Sequence, residues 1–469
     1  MRKVQLRTLL ATLLFSATAL AQNTPPTAPP QQLSPKAAYY DAMHPLDVTR
    51  HSVANWSDIE IAALKVAMDR AQKDCAARDP KAFAGEALID LVRLCSLGQM
   101  WPSVVQAATL YITADTPAKP LLSQAYAGQI DADLHLKKEP DALASARTML
   151  TAVPYDTLTA ETIGEAVSYM QFVNTADALA LATARQPLLL ARLQATAAPT
   201  TTVDATPSAD EPPQSLHELY ADGLTLPALQ QLAKVPAADV AATLAALDAT
   251  LPQTLSPDEA TPIAASRKRY ALLDKPLPKI AGLAYLSMPG KLPQLPAINA
   301  LTALLLFPDW CAQCVLMGRQ FPETVFTVAG HEAYLYGLLA QTVPTRKPVL
   351  PSASSTTKDA PASTVVYHPS GYAPSDAANE LRETPTIVVE PALLDQFAAT
   401  DVPLLILTDP QGIVRVVQPV GEDALAPGST IDSAIARVGA QWPSPLLTPK
   451  KATTGPPGPA GGVPSHSHP

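Results

Sequence analysis

Apolar positions recur every three or four residues over a long first part of the chain. The spacing is clear in Ala- and Leu-rich stretches such as residues 86–94, EALIDLVRL. It is typical of helices that bury one face, and few β-branched runs interrupt it. The pattern therefore predicts an all-helical region of antiparallel helices over residues 41–196. A second helical patch predicts a helical connector over residues 215–270.

The pattern changes after residue 272 to short apolar strands separated by proline and glycine. Residues 299–307 read NALTALLLF, an uninterrupted apolar run that is expected of a central strand covered on both faces. Two further apolar runs flank residues 410–412, PQG, which have the residue types of a hairpin turn. These features predict an α/β domain with a central mixed sheet over residues 271–445.

Composition marks the segments that separate or flank these folded parts. The chain contains 49 prolines in 469 residues, about twice the usual share, and they gather in a few stretches. Such segments have too few apolar side chains to form a core, so we expect them to be flexible. They are a leader at residues 22–40, a linker at 197–214, a surface insertion at about 345–375 and a tail at 446–469.

Residues 1–21 have the parts of a secretory signal peptide. Three basic residues precede an apolar run, and residues 19–21, ALA, form a cleavage site that ends at Ala21. No cysteine follows that site, so a soluble periplasmic product is expected rather than a lipoprotein. The apolar run is shorter than the ~20 residues that span a bilayer, although an uncleaved anchor stays open as the alternative. We expect no membrane span after cleavage.

The charge balance argues against a nucleic-acid partner. The chain has 33 Lys and Arg residues against 42 Asp and Glu residues, for a net charge of −9, and no basic stripe. Nucleic-acid binding needs a basic surface that displaces counterions from phosphates. We therefore expect no nucleic acid among the partners.

The candidate chemistry lies in Trp310-Cys311-Ala312-Gln313-Cys314, which directly follows the predicted central strand. A helix that begins here places Cys311 at its amino end, where free N–H groups and the helix dipole favour a thiolate. Cys314 lies about one turn further along the same face. We therefore predict that Cys311 attacks a disulfide and that Cys314 resolves the mixed disulfide.

With its strand, Trp-Cys-x-x-Cys and Val-Pro in this order, the region 271–442 resembles the thioredoxin superfamily and its exported TlpA/ResA-like branch. Residues 273–280 resemble the opening strand of that branch. The resemblance implies a cis bond between Val402 and Pro403 beside the disulfide, with Val402 pairing with substrate and Trp310 on the same substrate-binding surface. It also implies cysteine-containing protein partners, a membrane electron donor and no cofactor.

Two positions depart from the pattern of that family. Many thioredoxins carry an acid six residues before the first cysteine, and the ResA-like branch carries a glutamate six residues after it. These positions are Leu305 and Met317 here. Help from a general base is typically worth about 10²–10⁴ in rate, so we expect slow deprotonation of Cys314 and weak activity.

Other interpretations of the cysteine pair stay open. Structural zinc needs further ligands, and the remaining cysteines, Cys75 and Cys95, belong to the helical region. A Cu(I) carrier is a better alternative, with His331 or the tail residues His466 and His468 as the added ligand. The third alternative is an interaction scaffold in which the thioredoxin fold is degenerate and the helical region does the binding.

Within the helical region, residues 139–147, EPDALASAR, resemble the second helix of a tetratricopeptide repeat. Ala142 occupies the small position where paired helices cross, and Pro154 closes the hairpin. The corresponding upstream residue is Ser103, which lies 39 residues earlier (142 − 103) rather than the repeat's 34. The resemblance implies a region that positions partner proteins; an irregular helical bundle is the alternative.

An oxidising compartment favours a disulfide between Cys75 and Cys95. If Pro80 separates two antiparallel helices, however, Cys75 lies beside the start of the second helix and Cys95 near its end. That places them more than ~10 Å apart, whereas a bridge needs Cα atoms within about 7 Å. The sequence therefore favours two separate buried thiols.

Overall fold

The computed structural model describes residues 32–51, 58–116, 118–197, 214–288, 290–319, 325–328, 330–342, 376–420 and 430–443. The predicted signal peptide, the insertion and the tail lie outside these ranges, as do most of the predicted leader and linker. The described part of the chain has a helical region first and an α/β part after it.

The helical region agrees with the three- and four-residue periodicity of the sequence. Its helices are, in chain order, α1 (Pro35–Arg50), α2 (Asp58–Ala76), α3 (Glu86–Leu97), α4 (Trp101–Thr113), α5 (Leu122–His135), α6 (Glu139–Ala152), α7 (Thr157–Val173), α8 (Thr175–Ala197), α9 (Leu216–Gly223), α10 (Thr225–Leu232), α11 (Ala237–Asp248) and α12 (Pro257–Tyr270). Side-chain caps start several of them: Asp156 accepts from Thr159 N at 2.9 Å before α7, and Ser215 forms a capping box with Glu218 before α9. None of the helices in the described ranges is long and apolar enough to cross a membrane.

The described strands form one mixed seven-stranded sheet. They are β1 (Gly282–Tyr285), β2 (Leu301–Pro308), β3 (Val325–Val328), β4 (His331–Ala340), β5 (Thr386–Val389), β6 (Leu404–Thr408) and β7 (Val414–Pro419). The order across the sheet is β1-β5-β4-β2-β6-β7, and β3 pairs with the first half of β4. Strand β2 runs parallel to β4 and antiparallel to β6. The helices of this part are α13 (Ala312–Arg319), α14 (Ala377–Glu380), α15 (Ala392–Phe397) and α16 (Thr430–Gln441).

Strand β2 is central and buried along its whole length, as its apolar run predicts. Its odd-numbered residues, from Leu301 to Phe307, pack on one face in a cluster with α16 and both cysteines of the Trp-Cys-x-x-Cys segment. Leu304 and Leu306 pack on the opposite face with Phe397 of α15. The face of the sheet that packs against α16 is therefore also the face that packs against the two cysteines.

Two sequence-based expectations about element boundaries are wrong. Residues 35–40 of the predicted flexible leader belong to α1, because Ser34 caps the helix and Ala38 is fully buried. Residues 273–280 do not form an opening strand: they contribute one isolated bridge, from Pro276 to Ile413, and the first strand begins at Gly282. Proline at 276 and 278 removes the N–H donors that a ladder needs.

Cys75 and Cys95 form a disulfide, so the prediction of separate thiols is wrong. Their Cα atoms are 5.2 Å apart, and both residues are buried. The prediction of separate thiols depends on two antiparallel helices that Pro80 separates. Instead, residues 77–85, which include a short 3-10 helix at Pro80–Ala82, separate α2 from α3, and the disulfide joins the carboxyl-terminal ends of both helices. The last turns of α2 and α3 therefore meet.

The helical region packs directly against the α/β part. Phe172 of α7 joins the buried cluster under α16. At the edge of the sheet, Gln171 donates to Gln418 of β7 at 3.0 Å, and Arg437 of α16 donates to Thr175 of α8 at 2.9 Å. The two regions thus share apolar and polar contacts.

Candidate functional site

The candidate site lies where the chain leaves β2 and enters α13. Asp309 and Trp310 form a turn, Cys311 directly precedes the helix, and Cys314 lies in its first turn. Cys311 and Cys314 form a disulfide with Cα atoms 5.2 Å apart. The backbone N–H of Cys314 donates to the Cys311 sulfur at 3.2 Å. Cys311 therefore occupies the helix amino end that the sequence predicts.

The two sulfurs differ in their access to solvent. Cys311 is 9% exposed, and Cys314 is fully buried. The neighbouring Trp310 is 57% exposed, an unusual position for a large aromatic ring. From the solvent side, Trp310 and the edge of Cys311 are therefore more accessible than Cys314.

The surroundings of Cys314 are apolar. Leu305 of β2 and Met317 of α13 are buried in the same cluster as both cysteines. These are the two positions at which members of the thioredoxin superfamily carry an acid. An apolar environment disfavours a charged sulfur, because the charge loses its hydration. Neither the leucine nor the methionine side chain can accept a proton from a neighbouring cysteine.

Asp309 is a site residue whose role the sequence analysis did not identify. Its side chain is fully buried, and its carboxylate accepts hydrogen bonds from the backbone N–H of Thr342, at 2.9 Å, and from the Thr342 hydroxyl. Its own N–H donates to Ala340 at the end of β4, at 3.1 Å. Asp309 thus fastens the turn before Cys311 to the neighbouring strand. In the sequence, the position of this acid directly after a buried strand is the feature that could have indicated a structural role.

Val402 and Pro403 lie at the same end of the sheet as the cysteine pair. The bond between them is cis. Pro403 directly precedes β6, whose Leu404 pairs with Leu306 of β2, so the register brings residues 402–403 to the end of β2. Val402 packs against the cluster that contains both cysteines. The structure therefore brings Trp310, the two cysteines and the Val402-Pro403 loop to one end of the sheet.

His331 is not part of this site. It begins β4, whereas the turn before Cys311 is bonded to the last residue of that strand, Ala340. Strand β4 has 10 residues, which at about 3.3 Å each places its two ends about 30 Å apart. The expectation that His331 could serve as a copper ligand is therefore wrong. His466 and His468 lie outside the described residues.

Within the described residues, neither a metal-ligand cluster nor the main cavity lies at the cysteine pair. No group of three or more potential metal-ligating side chains occurs within the described ranges. A cavity of about 1010 Å³ lies between the helical region and the β7 edge of the sheet, but neither cysteine lines it.

Comparison with known proteins finds no matching family model, no matching curated protein and no matching solved structure.

Proposed function

We propose that this protein is a thiol-disulfide oxidoreductase that exchanges disulfides with cysteine-containing proteins through Cys311 and Cys314. The observation that carries the proposal is the Cys311–Cys314 disulfide at the amino end of a helix, beside a cis Val402-Pro403 loop. This is the arrangement that the resemblance to the TlpA/ResA-like branch of the thioredoxin superfamily implies. The exposed ring of Trp310 and the backbone of Val402 provide the surface for a partner segment.

The exchange proceeds in two steps, in which the bonds, electrons and protons balance. In the reduced protein, the Cys311 thiolate attacks one sulfur of a partner disulfide; a new S–S bond forms, and the other partner sulfur leaves as a thiolate and takes up a proton. Cys314 then loses its proton and attacks the Cys311 sulfur, which releases the second partner sulfur as a thiolate. The partner gains two electrons, and the protein returns to its disulfide form. Run in reverse, the same steps oxidise a partner dithiol.

The burial of Cys314 bears on the second step. Because Leu305 and Met317 supply no base, deprotonation of Cys314 is expected to limit turnover. A slow second step prolongs the life of the mixed disulfide. We therefore propose an enzyme with slow turnover and a long-lived covalent complex.

The setting of this activity is also part of the proposal. The signal-peptide pattern supports export to the periplasm, where action as a reductant would require a membrane electron donor that keeps the pair reduced. The helical region, with tetratricopeptide-like hairpins such as α5–α6, would position partner proteins next to the cysteine pair. Its packing against α16 and β7 supports a fixed relation between the two parts.

Insulin reduction with dithiothreitol as electron donor tests the proposal. The wild-type protein should accelerate insulin reduction above the rate with dithiothreitol alone, and Cys311→Ser should abolish that acceleration. A Cys75→Ala/Cys95→Ala variant is the matched control, because it removes the other disulfide and should retain the activity. Full activity in Cys311→Ser, or none in the wild-type protein, would refute the proposal.

The direction of exchange follows from the reduction potential of the pair. A value near thioredoxin's, about −270 mV, would indicate a reductant, and one near about −120 mV an oxidant.

A further inference from the structure

The segment that leads into the Val402-Pro403 loop is held by a buried arginine from the helical region. Arg269, in the last turn of α12, is only 8% exposed. Its guanidinium donates to the carbonyl oxygen of Ala398 at 2.6 Å and to the hydroxyl of Thr400 at 2.9 Å. Both acceptors lie in the short connection between α15 and β6. A side chain of the helical region therefore fixes the backbone a few residues before Pro403.

The guanidinium is itself fixed from two sides. Ser266, one turn earlier in α12, accepts a hydrogen bond from it at 3.0 Å, and the carboxylate of Asp401 lies 3.7 Å away. The neighbouring Lys268 donates to the carbonyl oxygen of Asp395 in α15, at 2.7 Å. Groups of the connection and of α15 thus have their partners on the last turn of α12.

The backbone of the connection is in a conformation that the hydrogen bonds from Arg269 stabilise. Ala398 ends α15 in the left-handed conformation, with φ of 50°, which residues with a Cβ adopt at a cost. Its carbonyl oxygen, bonded to Arg269, is one of the helix-end acceptors that lack an intrahelical partner. Removing the guanidinium would leave this buried oxygen without its charged donor, and such losses change local structure as well as stability.

We propose that Arg269 is a positioning residue for the redox site: by holding residues 398–401, it keeps Val402 and Pro403 against the Cys311–Cys314 pair. The proposal rests on the proposed function, because Val402 matters only if a partner segment pairs with it. Through Arg269, the helical region sets the geometry of the surface on which a partner disulfide is held. The expected consequence is an effect on the use of protein disulfides rather than on the intrinsic reactivity of Cys311.

Two kinetic measurements separate these effects in the full-length protein. Arg269→Gln should lower kcat/KM for insulin about 10- to 100-fold, since small misplacements in a reacting complex cost that much. Alkylation of reduced Cys311 by iodoacetamide should stay within about twofold of wild type, because a small reagent needs no positioned loop. Arg269→Lys, which keeps the charge but has a single donor nitrogen, should recover part of the loss.

The matched control is Arg267→Gln, two residues earlier in the same helix. Arg267 donates to Tyr220 and Asp248, which both belong to the helical region. Its replacement should lower stability without changing kcat/KM. Equal kcat/KM for Arg269→Gln and wild type, or an equal fall in both variants, would overturn the positioning role.

Hydrogen exchange provides a readout that does not depend on activity. In Arg269→Gln, peptides covering residues 398–403 and 309–315 should exchange faster than in wild type, and in Arg267→Gln they should not. If both peptides keep their wild-type exchange, the positioning role is refuted whatever the activity. If they change while the wild-type protein shows no disulfide exchange, the proposed function fails: Arg269 then holds residues 398–401 in place, but not for a redox site.

Discussion

Removing the Cys75–Cys95 disulfide should cost several kcal/mol of stability in the helical region. The two residues are 20 positions apart in the chain. In the chain-entropy treatment, a loop of this length restricts the unfolded chain by about 11 cal/mol/K, or about 3.3 kcal/mol at room temperature. Both residues are buried where α2 and α3 end, so alanine at both positions also removes two buried sulfur atoms, and the loss should be at least this large. Against a typical total of about 5–15 kcal/mol, this loss is large.

The assay is urea unfolding followed by far-UV circular dichroism, with Cys75→Ala/Cys95→Ala compared with wild type. Cys311→Ala/Cys314→Ala is the control, because those cysteines are only 3 positions apart and the same treatment gives about 1.6 kcal/mol. We expect the first variant to lose about twice as much free energy of unfolding as the second. If the Cys75/Cys95 variant is as stable as wild type, the reasoning about the α2–α3 junction is wrong.

Three further predictions test other parts of the structure. Thr342→Val removes a hydroxyl donor from the buried Asp309 carboxylate and should cost about 1.5–3 kcal/mol in chemical denaturation; an unchanged midpoint would argue against anchoring of the Cys311 turn. Asp133 is buried with one carboxylate oxygen unpartnered, and burial raises its pKa in the folded protein. Because the carboxyl group of the unfolded chain ionises at about pH 4, the folded state loses stability as the pH rises above that value. Asp133→Asn should therefore be more stable than wild type near neutral pH and equal to it at about pH 3, whereas a difference that does not depend on pH would contradict this. Gly98→Ala would place a Cβ 2.5 Å from the backbone nitrogen of Gln72, which should cost about 1–3 kcal/mol in thermal unfolding; an unchanged Tm would be inconsistent with that close approach.

The parts of the fold that the sequence predicts are those with a local signal. The apolar run at residues 299–307 predicts β2 because a strand buried on both faces has no polar positions. The three- and four-residue spacing predicts the helices for a similar reason. The cis bond at Pro403, by contrast, was expected from the resemblance rather than from any pattern of residue types.

What the sequence could not predict depends on the path of the chain between elements. The Cys75–Cys95 bridge depends on the route of residues 77–85, which no periodicity records. The contact between Arg269 and Ala398 joins positions 129 residues apart, and an arginine at the end of a helix normally indicates a solvated residue. Both the disulfide and the burial of Arg269 thus depend on contacts between residues that are distant in the chain.

The most direct test of the central claim is to trap the covalent intermediate. A reduced Cys314→Ala variant, incubated with a disulfide-bonded peptide and measured by intact-mass spectrometry, should carry one peptide chain, and fragmentation should locate it at Cys311. The second step is then blocked, because no other thiol lies one helical turn away. Cys311→Ala, treated in the same way, should carry none, since Cys314 is fully buried. An unmodified Cys314→Ala protein, or an adduct on Cys314 in Cys311→Ala, would contradict the assignment of Cys311 as the nucleophile.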